Sequence, residues 1–214
     1  MIKELILNAG PEETRAALLE DGLPAEIFLE RASTPNLLGN VYKARVSTVL
    51  PGMQSAFVDI GLDRDAFLYV TDLLPRALDA GPSVEDPPRM RERGPCVESL
   101  LSPGQELLVQ VTKEPMGGKG ARVSGQISVP GRSLVYLSGG CGRAASRRIR
   151  PEQERERLRQ LVERIPGEGS LIVRTAGTGA SFADLEEEAR SLRLRWQEIL
   201  RRSESGVQPM VWGH

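Results

Sequence analysis

Residues 52–70, "GMQSAFVDIGLDRDAFLYV", are the stretch of sequence that decides the fold. Two apolar runs flank the turn-forming "GLDRD", a pattern that predicts two adjacent antiparallel strands. The stretch holds two of the four phenylalanines, Phe57 and Phe67, although aromatic residues make up only 4% of the chain. Rings on neighbouring strands either pack in a core or point outward, where their faces can stack nucleic-acid bases. Spacing alone leaves both interpretations open.

The sequence on both sides of this hairpin is also rich in strand patterns. "NVYKARVSTVL" precedes it and "GQELLVQVTKEP" follows it, after a Pro-, Gly- and charge-rich stretch that predicts a long surface loop with one short helix. About five short strands with one long connection are typical of a small closed barrel of the OB type. Tyr42 and Lys43 lie on the first strand of this barrel. Tyr42 either adds a ring to an RNA-binding surface or packs in the barrel, and Lys43 either contacts a phosphate or is an ordinary surface residue.

Three apolar runs open the sequence: "ELILNA", "TRAALLED" and "AEIFLERAS". The turns between them contain Gly and Pro, so we predict a three-stranded antiparallel meander. A sheet of this size buries little apolar surface and has unpaired edges. Self-association through this sheet is therefore one prediction.

After the barrel, two strand patterns alternate with two helix patterns. The helices are "RPEQERERLRQLVERIP" and "SFADLEEEARSLRLRWQEILRR", and the second begins with the capping pair Ser181 and Asp184. Between the two helices, "IVRTAGTG" places Arg174 and Thr175 where a strand meets a glycine loop. A guanidinium, a hydroxyl and loop N–H groups suit a phosphate, although an exposed turn explains the same residues.

Composition and single-residue chemistry exclude several classes. The formal net charge of −1 argues against a non-specific nucleic-acid binder, while the loop arginines Arg147 and Arg148 form a local basic patch. No GxxxxGK[ST] or full GxGxxG motif occurs, which excludes P-loop hydrolases and dinucleotide-binding folds. The two cysteines lack a CxxC spacing and His214 is the only histidine, so we predict no metal site and no histidine catalysis. No run reaches about 20 apolar residues and no signal peptide is apparent, which predicts a cytoplasmic protein.

Taken in order, these motifs resemble those of the ribonuclease E/G family of bacterial endoribonucleases, and the ribonuclease G branch most. The matching stretches are "GNVYKARVSTVLPGMQSAFVDIGLDRDAFLYVTDL", "GQELLVQVTKEPMGGKGARVSGQISVPGRSLVYL", "SRRI" and "SLIVRTAG". The resemblance implies an α+β chain in which an S1-type OB β-barrel is inserted after a partial RNase H-like β-meander and is followed by an α/β 5′-sensor subdomain. The implied boundaries are 1–36, 37–125 and 126–205, with a tail over 206–214.

The resemblance also implies roles for individual residues. The RNA-stacking aromatics match Phe57 and Phe67, and an RNA-contacting lysine matches Lys119. A pocket for the 5′-monophosphate of RNA matches four residues: Gly131, Val135, Arg174 and Thr175. The family pattern after "KGA" usually has Thr-Thr, where this chain has "RVSGQ".

The family's catalytic residues have no counterpart in this sequence. Its magnesium-holding aspartates and its zinc-link cysteines match nothing in this sequence, so we expect no catalytic residue and neither metal in this chain. The expected function is RNA binding and 5′-monophosphate sensing within an endoribonuclease of rRNA processing and mRNA decay, with single-stranded RNA as the partner. The alternatives are an endoribonuclease active in its own right and a nonfunctional truncated remnant.

Overall fold

The computed structural model describes residues 2–31, 36–74 and 95–204. The chain has an α+β fold that divides into two compact units, Met1–Leu37 and Leu38–His214. The first unit contains a three-stranded sheet, and the second contains a closed barrel, a four-stranded sheet and the described helices. The predicted tail over 206–214 lies outside the described residues.

The first unit is the meander predicted from the three opening apolar runs. Strands β1 (Lys3–Ala9), β2 (Glu13–Glu20) and β3 (Leu23–Arg31) pair antiparallel in that order. Alternation sends Leu5 and Ile6 to opposite faces, and both side chains are more than half exposed. Within this unit, apolar side chains therefore lie exposed on both faces of the sheet.

The second unit begins with a five-stranded closed barrel, which confirms the OB-like prediction. Its strands are β4 (Val41–Leu50), β5 (Ser55–Asp59), β6 (Ala66–Tyr69), β7 (Glu106–Lys113) and β8 (Arg122–Ser124). The order around the barrel is β4-β5-β6-β8-β7, with β6 and β8 parallel. The barrel closes because β4 pairs with β7 over residues 41–45 and with β5 over residues 45–50, next to a bulge.

A short helix, α1 (Val97–Leu100), precedes β7 and matches the helix predicted in the long loop. Residues 75–94 of that predicted loop lie outside the described residues. Val97 is buried, so the described end of the loop is anchored to the second unit.

A four-stranded sheet follows the barrel, in the order β11-β12-β10-β9. The strands are β9 (Ser128–Pro130), β10 (Leu134–Leu137), β11 (Arg143–Ala145) and β12 (Ser170–Val173). Helices α2 (Glu152–Glu163) and α3 (Phe182–Glu204) confirm the two predicted helices. Their apolar stripes share one core with the sheet, in which Leu158 and Leu192 are essentially fully buried.

The N-terminus of α3 has the predicted capping pair. The Asp184 N–H donates to the Ser181 hydroxyl at 3.2 Å, and the Ser181 N–H donates to the Asp184 carboxylate at 3.0 Å. These reciprocal bonds satisfy two donors that a helix start would otherwise leave without partners. The Ser181 hydroxyl also donates to the Asp184 carboxylate at 2.6 Å, and this bond, followed by the one from the Ser181 N–H, holds the pKa of Asp184 below its ordinary value. The start of α3 is thereby fixed directly after the loop that carries Arg174.

Candidate nucleic-acid interface

Three aromatic rings form a cluster on the outer surface of the barrel. Phe57 of β5 pairs directly with Phe67 of β6, and their ring centroids lie 5.5 Å apart at an interplanar angle of 72°. Tyr69 continues the cluster, 4.7 Å from Phe67 at 81°. The neighbours of Phe57, Ala56 and Val58, are fully buried while Phe57 itself is 37% exposed. These rings therefore point out of the barrel, and the alternative in which they fill its core is wrong.

We call Phe57, Phe67 and Tyr69 the ring cluster. Edge-to-face contacts between the rings fix their orientation, because the positive edge of one ring meets the negative face of the next. Contiguous apolar rings on a strand surface that remain in contact with water are typical of binding sites. The geometry therefore suits a flat, unsaturated ligand.

Lys119 lies at the tip of a tight hairpin between β7 and β8. Met116 and Lys119 exchange two backbone hydrogen bonds of 3.1 and 3.3 Å. Gly117 and Gly118 between them have φ values of 59° and 83°, the positive values that a two-residue hairpin turn requires. The Lys119 side chain is exposed at this tip.

A second contact fixes the hairpin against the ring-bearing strands. The Phe67 N–H donates to the Ala121 carbonyl at 2.8 Å, two residues after Lys119. A Cβ atom at Gly120 would overlap the backbone carbonyl of Asp65, so only glycine allows this approach. These backbone contacts place the hairpin that carries Lys119 next to β6, the strand that carries Phe67 and Tyr69.

Two predicted contacts of the barrel lie elsewhere. Tyr42 is only 3% exposed, so its ring has no face available for a base, and its prediction as an RNA contact is corrected. Lys43 is on β4 opposite Leu108 of β7, five residues before Thr48, which pairs with Phe57 of β5. Its ammonium pairs with Glu106 at 2.9 Å, and this contact is the main cause that lowers the pKa of the Glu106 carboxyl. Lys43 therefore lies apart from the rings, with its charge paired.

A second candidate site lies at one end of the four-stranded sheet. We call residues 130–134 the Gly131 turn and residues 174–180 the Arg174 loop. The Gly131 N–H donates to the Leu134 carbonyl at 2.8 Å, which closes the turn between β9 and β10. The Arg174 N–H donates to the Ser133 carbonyl at 2.7 Å, and its guanidinium donates to the Gly131 carbonyl at 2.6 Å. Backbone and side chain of one arginine thus join the loop to the turn.

A carboxylate from α3 holds the other side of the Gly131 turn. Glu188 accepts hydrogen bonds from the N–H groups of Ser133, at 2.9 Å, and Leu134, at 3.3 Å. A Cβ at Gly131 would overlap a carboxylate oxygen of Glu188. Glycine at this position therefore makes room for the carboxylate that positions the turn.

A second carboxylate, from α2, holds the Arg174 loop. Glu154 accepts a 2.8 Å bond from the Gly179 N–H and pairs with Arg157, whose guanidinium also donates to the Ala180 carbonyl. The bonds from Arg157 and then Gly179 lower the pKa of Glu154 to about 2. This carboxylate is therefore ionised at neutral pH and keeps the loop against α2.

The Arg174 loop presents unused donors to solvent. Arg174 and Thr175 are exposed. In the described part of the chain, no protein group accepts a hydrogen bond from the N–H or the hydroxyl of Thr175. Because β11 and β12 are parallel, the exposed residues Arg147 and Arg148, which follow β11, lie at the same end of the sheet. Cationic groups and N–H donors gather here, which suits an anion.

Neither a cluster of metal-binding side chains nor a membrane-spanning helix occurs among the described residues. Among residues 2–31, 36–74 and 95–204, no group of three or more His, Cys, Asp and Glu side chains is placed to hold a metal ion. Over the same part of the chain, no helix combines the length and apolar character that crossing a membrane would require.

Comparison with known proteins gives a consistent result. The family model of the Ribonuclease E/G family matches residues 128–212. Ribonuclease G of Escherichia coli (strain K12) is 41% identical over 203 residues, which cover 94% of this chain and 41% of that protein. The chain belongs to the ribonuclease E/G family. Ribonuclease G of Haemophilus influenzae is also 41% identical, over 98% of this chain, and Ribonuclease E of Nostoc sp. is 36% identical over 99%.

This ribonuclease E/G family chain spans about two fifths of the length of the ribonuclease G relatives it matches. Identity is higher to these ribonuclease G proteins than to ribonuclease E, which confirms the resemblance to the ribonuclease G branch. The family positions predicted from sequence fall into two groups in the structure. Phe57 and Phe67 pack against each other on the barrel, and Lys119 is on the hairpin that leads to β8. Arg174 contacts Gly131, Thr175 follows it in the Arg174 loop, and Val135 is on β10 directly after the Gly131 turn.

Two glutamates support the second site in ways that the sequence did not indicate. Glu154 and Glu188 are spread over two helices rich in acidic residues, and nothing in the pattern separates them from their neighbours. Val135 is half-buried on β10 between Pro130 and Ile172, where its backbone is part of the sheet that carries the turn. Only the structure identifies the two glutamates, because each accepts a backbone N–H bond: Glu188 from the Gly131 turn and Glu154 from the Arg174 loop.

Proposed function

We propose that this chain binds single-stranded RNA on the barrel and senses a 5′-monophosphate at the Arg174 loop, as part of a ribonuclease E/G-type endoribonuclease of RNA processing and decay in the cytoplasm. The observation that carries the proposal is the outward Phe57–Phe67 pair on an OB-like barrel of a ribonuclease E/G family chain. In this proposal the meander is the partial RNase H-like segment (1–36), the barrel the S1-type domain (37–125), and the remainder (126–205) the 5′-sensor subdomain.

The ring cluster supplies affinity that does not depend on sequence. Every base has a π-face, and stacking on an aromatic side chain contributes about 1–3 kcal/mol per base. Lys119, on the hairpin next to β6, is an exposed point charge that suits a backbone phosphate. Rings and lysine together therefore suit a flexible strand whose bases are unpaired.

The Arg174 loop supplies discrimination at the end of the strand. A terminal phosphate monoester carries up to two negative charges and three acceptor oxygens, which match the Arg174 guanidinium and the Thr175 N–H and hydroxyl. A 5′-hydroxyl offers neither charge nor these acceptors. Arg174 is already oriented by its bonds to Ser133 and Gly131, so little side-chain entropy is lost on binding.

Titration with short RNAs that differ only at the 5′ end tests the proposal. We expect 5′-monophosphorylated RNA to bind more tightly than the same RNA with a 5′-hydroxyl, and Phe57→Ala to weaken both equally. Phe28, an exposed phenylalanine of the meander, provides the matched control Phe28→Ala. An unchanged affinity in Phe57→Ala would remove the barrel from the proposal.

The second candidate is cleavage of RNA by this chain itself. Membership of a ribonuclease family favours this candidate. Incubation of labelled single-stranded RNA with the chain and magnesium separates this candidate from binding alone. The binding proposal expects intact RNA. Cleavage that is lost when one of the chain's own carboxylates is mutated would contradict it.

The third candidate, a remnant that associates with itself, comes from the meander. Ile27 and Phe28 on β3 are more than half exposed on opposite faces, and β1 and β3 form the edges of this sheet. Sedimentation of the wild type and of Ile27→Glu measures it. A concentration-dependent dimer that Ile27→Glu abolishes would support this candidate, and a monomer in both would remove it.

A further inference from the structure

We propose that Arg122 provides an additional base-stacking position on the barrel, where its guanidinium, held against Tyr69, stacks one nucleobase of single-stranded RNA. The inference rests on the proposed RNA-binding function and extends its site beyond Phe57 and Phe67. It assigns a ligand chemistry, a planar base, to a side chain that charge alone would assign to phosphate.

Arg122 continues the ring cluster without a gap. It lies on β8 directly opposite Phe67 of the parallel strand β6. Its guanidinium carbon lies 4.7 Å from the centroid of the Tyr69 ring, within the range of a cation–π contact. Three rings and one planar cation therefore form a continuous row across β5, β6 and β8.

A buried carboxylate fixes the guanidinium in place. Arg122 donates to the Asp72 carboxylate at 2.9 Å, and Asp72 is only 4% exposed. The backbone carbonyl of Asp72 in turn accepts bonds from the Ser124 hydroxyl, at 3.0 Å, and from the Gly125 N–H, at 3.1 Å. Asp72 is thus part of the backbone connection between β6 and β8, so it holds the arginine in one orientation.

About a third of the Arg122 side-chain surface remains open to a ligand. The Arg122 side chain remains 32% exposed although one face contacts the ring and one edge contacts Asp72. A guanidinium that is already fixed loses little conformational entropy when RNA binds, which favours stacking. RNA-binding proteins stack unpaired bases on arginine planes as well as on aromatic rings.

The pairing with Asp72 decides between a base and a phosphate. The negative charge of Asp72 offsets the charge of Arg122 at close range, which weakens long-range attraction for a phosphate. The flat surface and its dispersion contacts are not reduced by the pairing. Lys119, exposed at its hairpin tip, remains the better phosphate contact on this face.

The test is Arg122→Lys, which keeps the charge and removes the plane. Lysine can still pair with Asp72, and thermal unfolding checks that the fold is kept. The control is Arg45→Lys, since Arg45 also points outward from the barrel and pairs with an acidic residue, Glu106, at 3.1 Å. Against a 5′-hydroxyl single-stranded RNA, we expect Arg122→Lys to bind about fivefold more weakly, the low end of one stacked base, and Arg45→Lys to bind as the wild type.

Abasic substitution identifies the contacted base. One base at a time is removed from the RNA, and we expect one position where removal weakens wild-type binding about fivefold and leaves Arg122→Lys unaffected. Tyr69→Leu, which removes the ring beneath the guanidinium, should lose the same position. If Phe57→Ala weakens binding while Arg122→Lys has wild-type affinity, Arg122 contacts no base and the inference fails. If Phe57→Ala has no effect either, the proposed function of the barrel fails first.

Discussion

The two candidate sites of this chain are built in opposite ways. The ring cluster consists of side chains on regular strands, where alternation alone sends Phe57 and Phe67 outward. The Gly131 turn and the Arg174 loop consist mostly of backbone groups, which carboxylates from two helices hold in position. The first site offers the faces of aromatic rings to a ligand, and the second offers hydrogen-bond donors.

This difference predicts how each site responds to mutation. A ring removed from a strand loses its own contact area and leaves the strand in place. Removing a carboxylate that holds a turn shifts the backbone groups of the site, although the carboxylate itself does not contact the ligand. Variants of the ring cluster should therefore change affinity for every RNA, and variants behind the turn should change only the dependence on the 5′ end.

The largest expected effect is that of Phe57→Ala combined with Phe67→Ala. Because each stacked base contributes about 1–3 kcal/mol, we expect the affinity for single-stranded RNA to fall by about 2 kcal/mol or more. Fluorescence anisotropy with 5′-monophosphorylated and 5′-hydroxyl RNA measures it. The ratio of the two affinities should stay at its wild-type value, and a changed ratio would show that the two sites are not independent.

A smaller effect is expected for Glu188→Ala. The N–H groups of Ser133 and Leu134 lose their acceptor, and the turn that binds Arg174 loosens. We expect the preference for a 5′-monophosphate to fall by about 1 kcal/mol, the typical contribution of one hydrogen bond. Binding of 5′-hydroxyl RNA should not change.

The matched control is Glu187→Ala, which removes an exposed carboxylate one residue earlier on the same helix. It should bind both RNAs as the wild type does. A preference that rises in Glu188→Ala would contradict the positioning role, because it would mean that this carboxylate competes with the phosphate.

The smallest effect is a pH dependence that comes from Glu154. Its pKa of about 2 in the folded chain lies below the ordinary 4.5, so the ionised form is stabilised by folding. The stabilisation is complete above about pH 4.5 and is lost as the pH falls toward 2. We expect the difference in melting temperature between the wild type and Glu154→Gln to shrink over that range. A difference that stays constant from pH 6 to 3 would show that the bonds from Arg157 and Gly179 do not lower the pKa of this carboxyl in the folded chain.

The sequence was informative wherever a periodic pattern determines the structure. The meander, the barrel strands and both long helices follow from hydrophobic periodicity, and the Ser181–Asp184 pair marks the start of α3 correctly. Periodicity could not decide between the core and the surface for the rings. The register of β5 and β6 decided it, since Phe57 pairs with Phe67 while Ala56 and Val58 fill the interior.

The residues that sequence alone misplaced or missed depend on three-dimensional pairing. Tyr42 is predicted as an RNA contact, but its ring is buried in the second unit, on the same face of β4 as Ala44 and Val46. Glu188 is one of three consecutive glutamates, and only the approach of Gly131 distinguishes it. Contacts between elements far apart in sequence leave no local pattern, so this part of the site required the structure.

The central claim is that the Arg174 loop recognises a 5′-monophosphate. The most direct test is the affinity of the wild type and of Arg174→Ala for one RNA sequence with either a 5′-monophosphate or a 5′-hydroxyl. Hydrogen bonds to a charged group contribute about 1.5–3 kcal/mol, so the wild type should prefer the monophosphate by about tenfold or more. Arg174→Ala should bind the two RNAs equally, at the wild-type affinity for the hydroxyl form. Equal binding of both RNAs by the wild type, or a preference that survives in Arg174→Ala, would contradict the account.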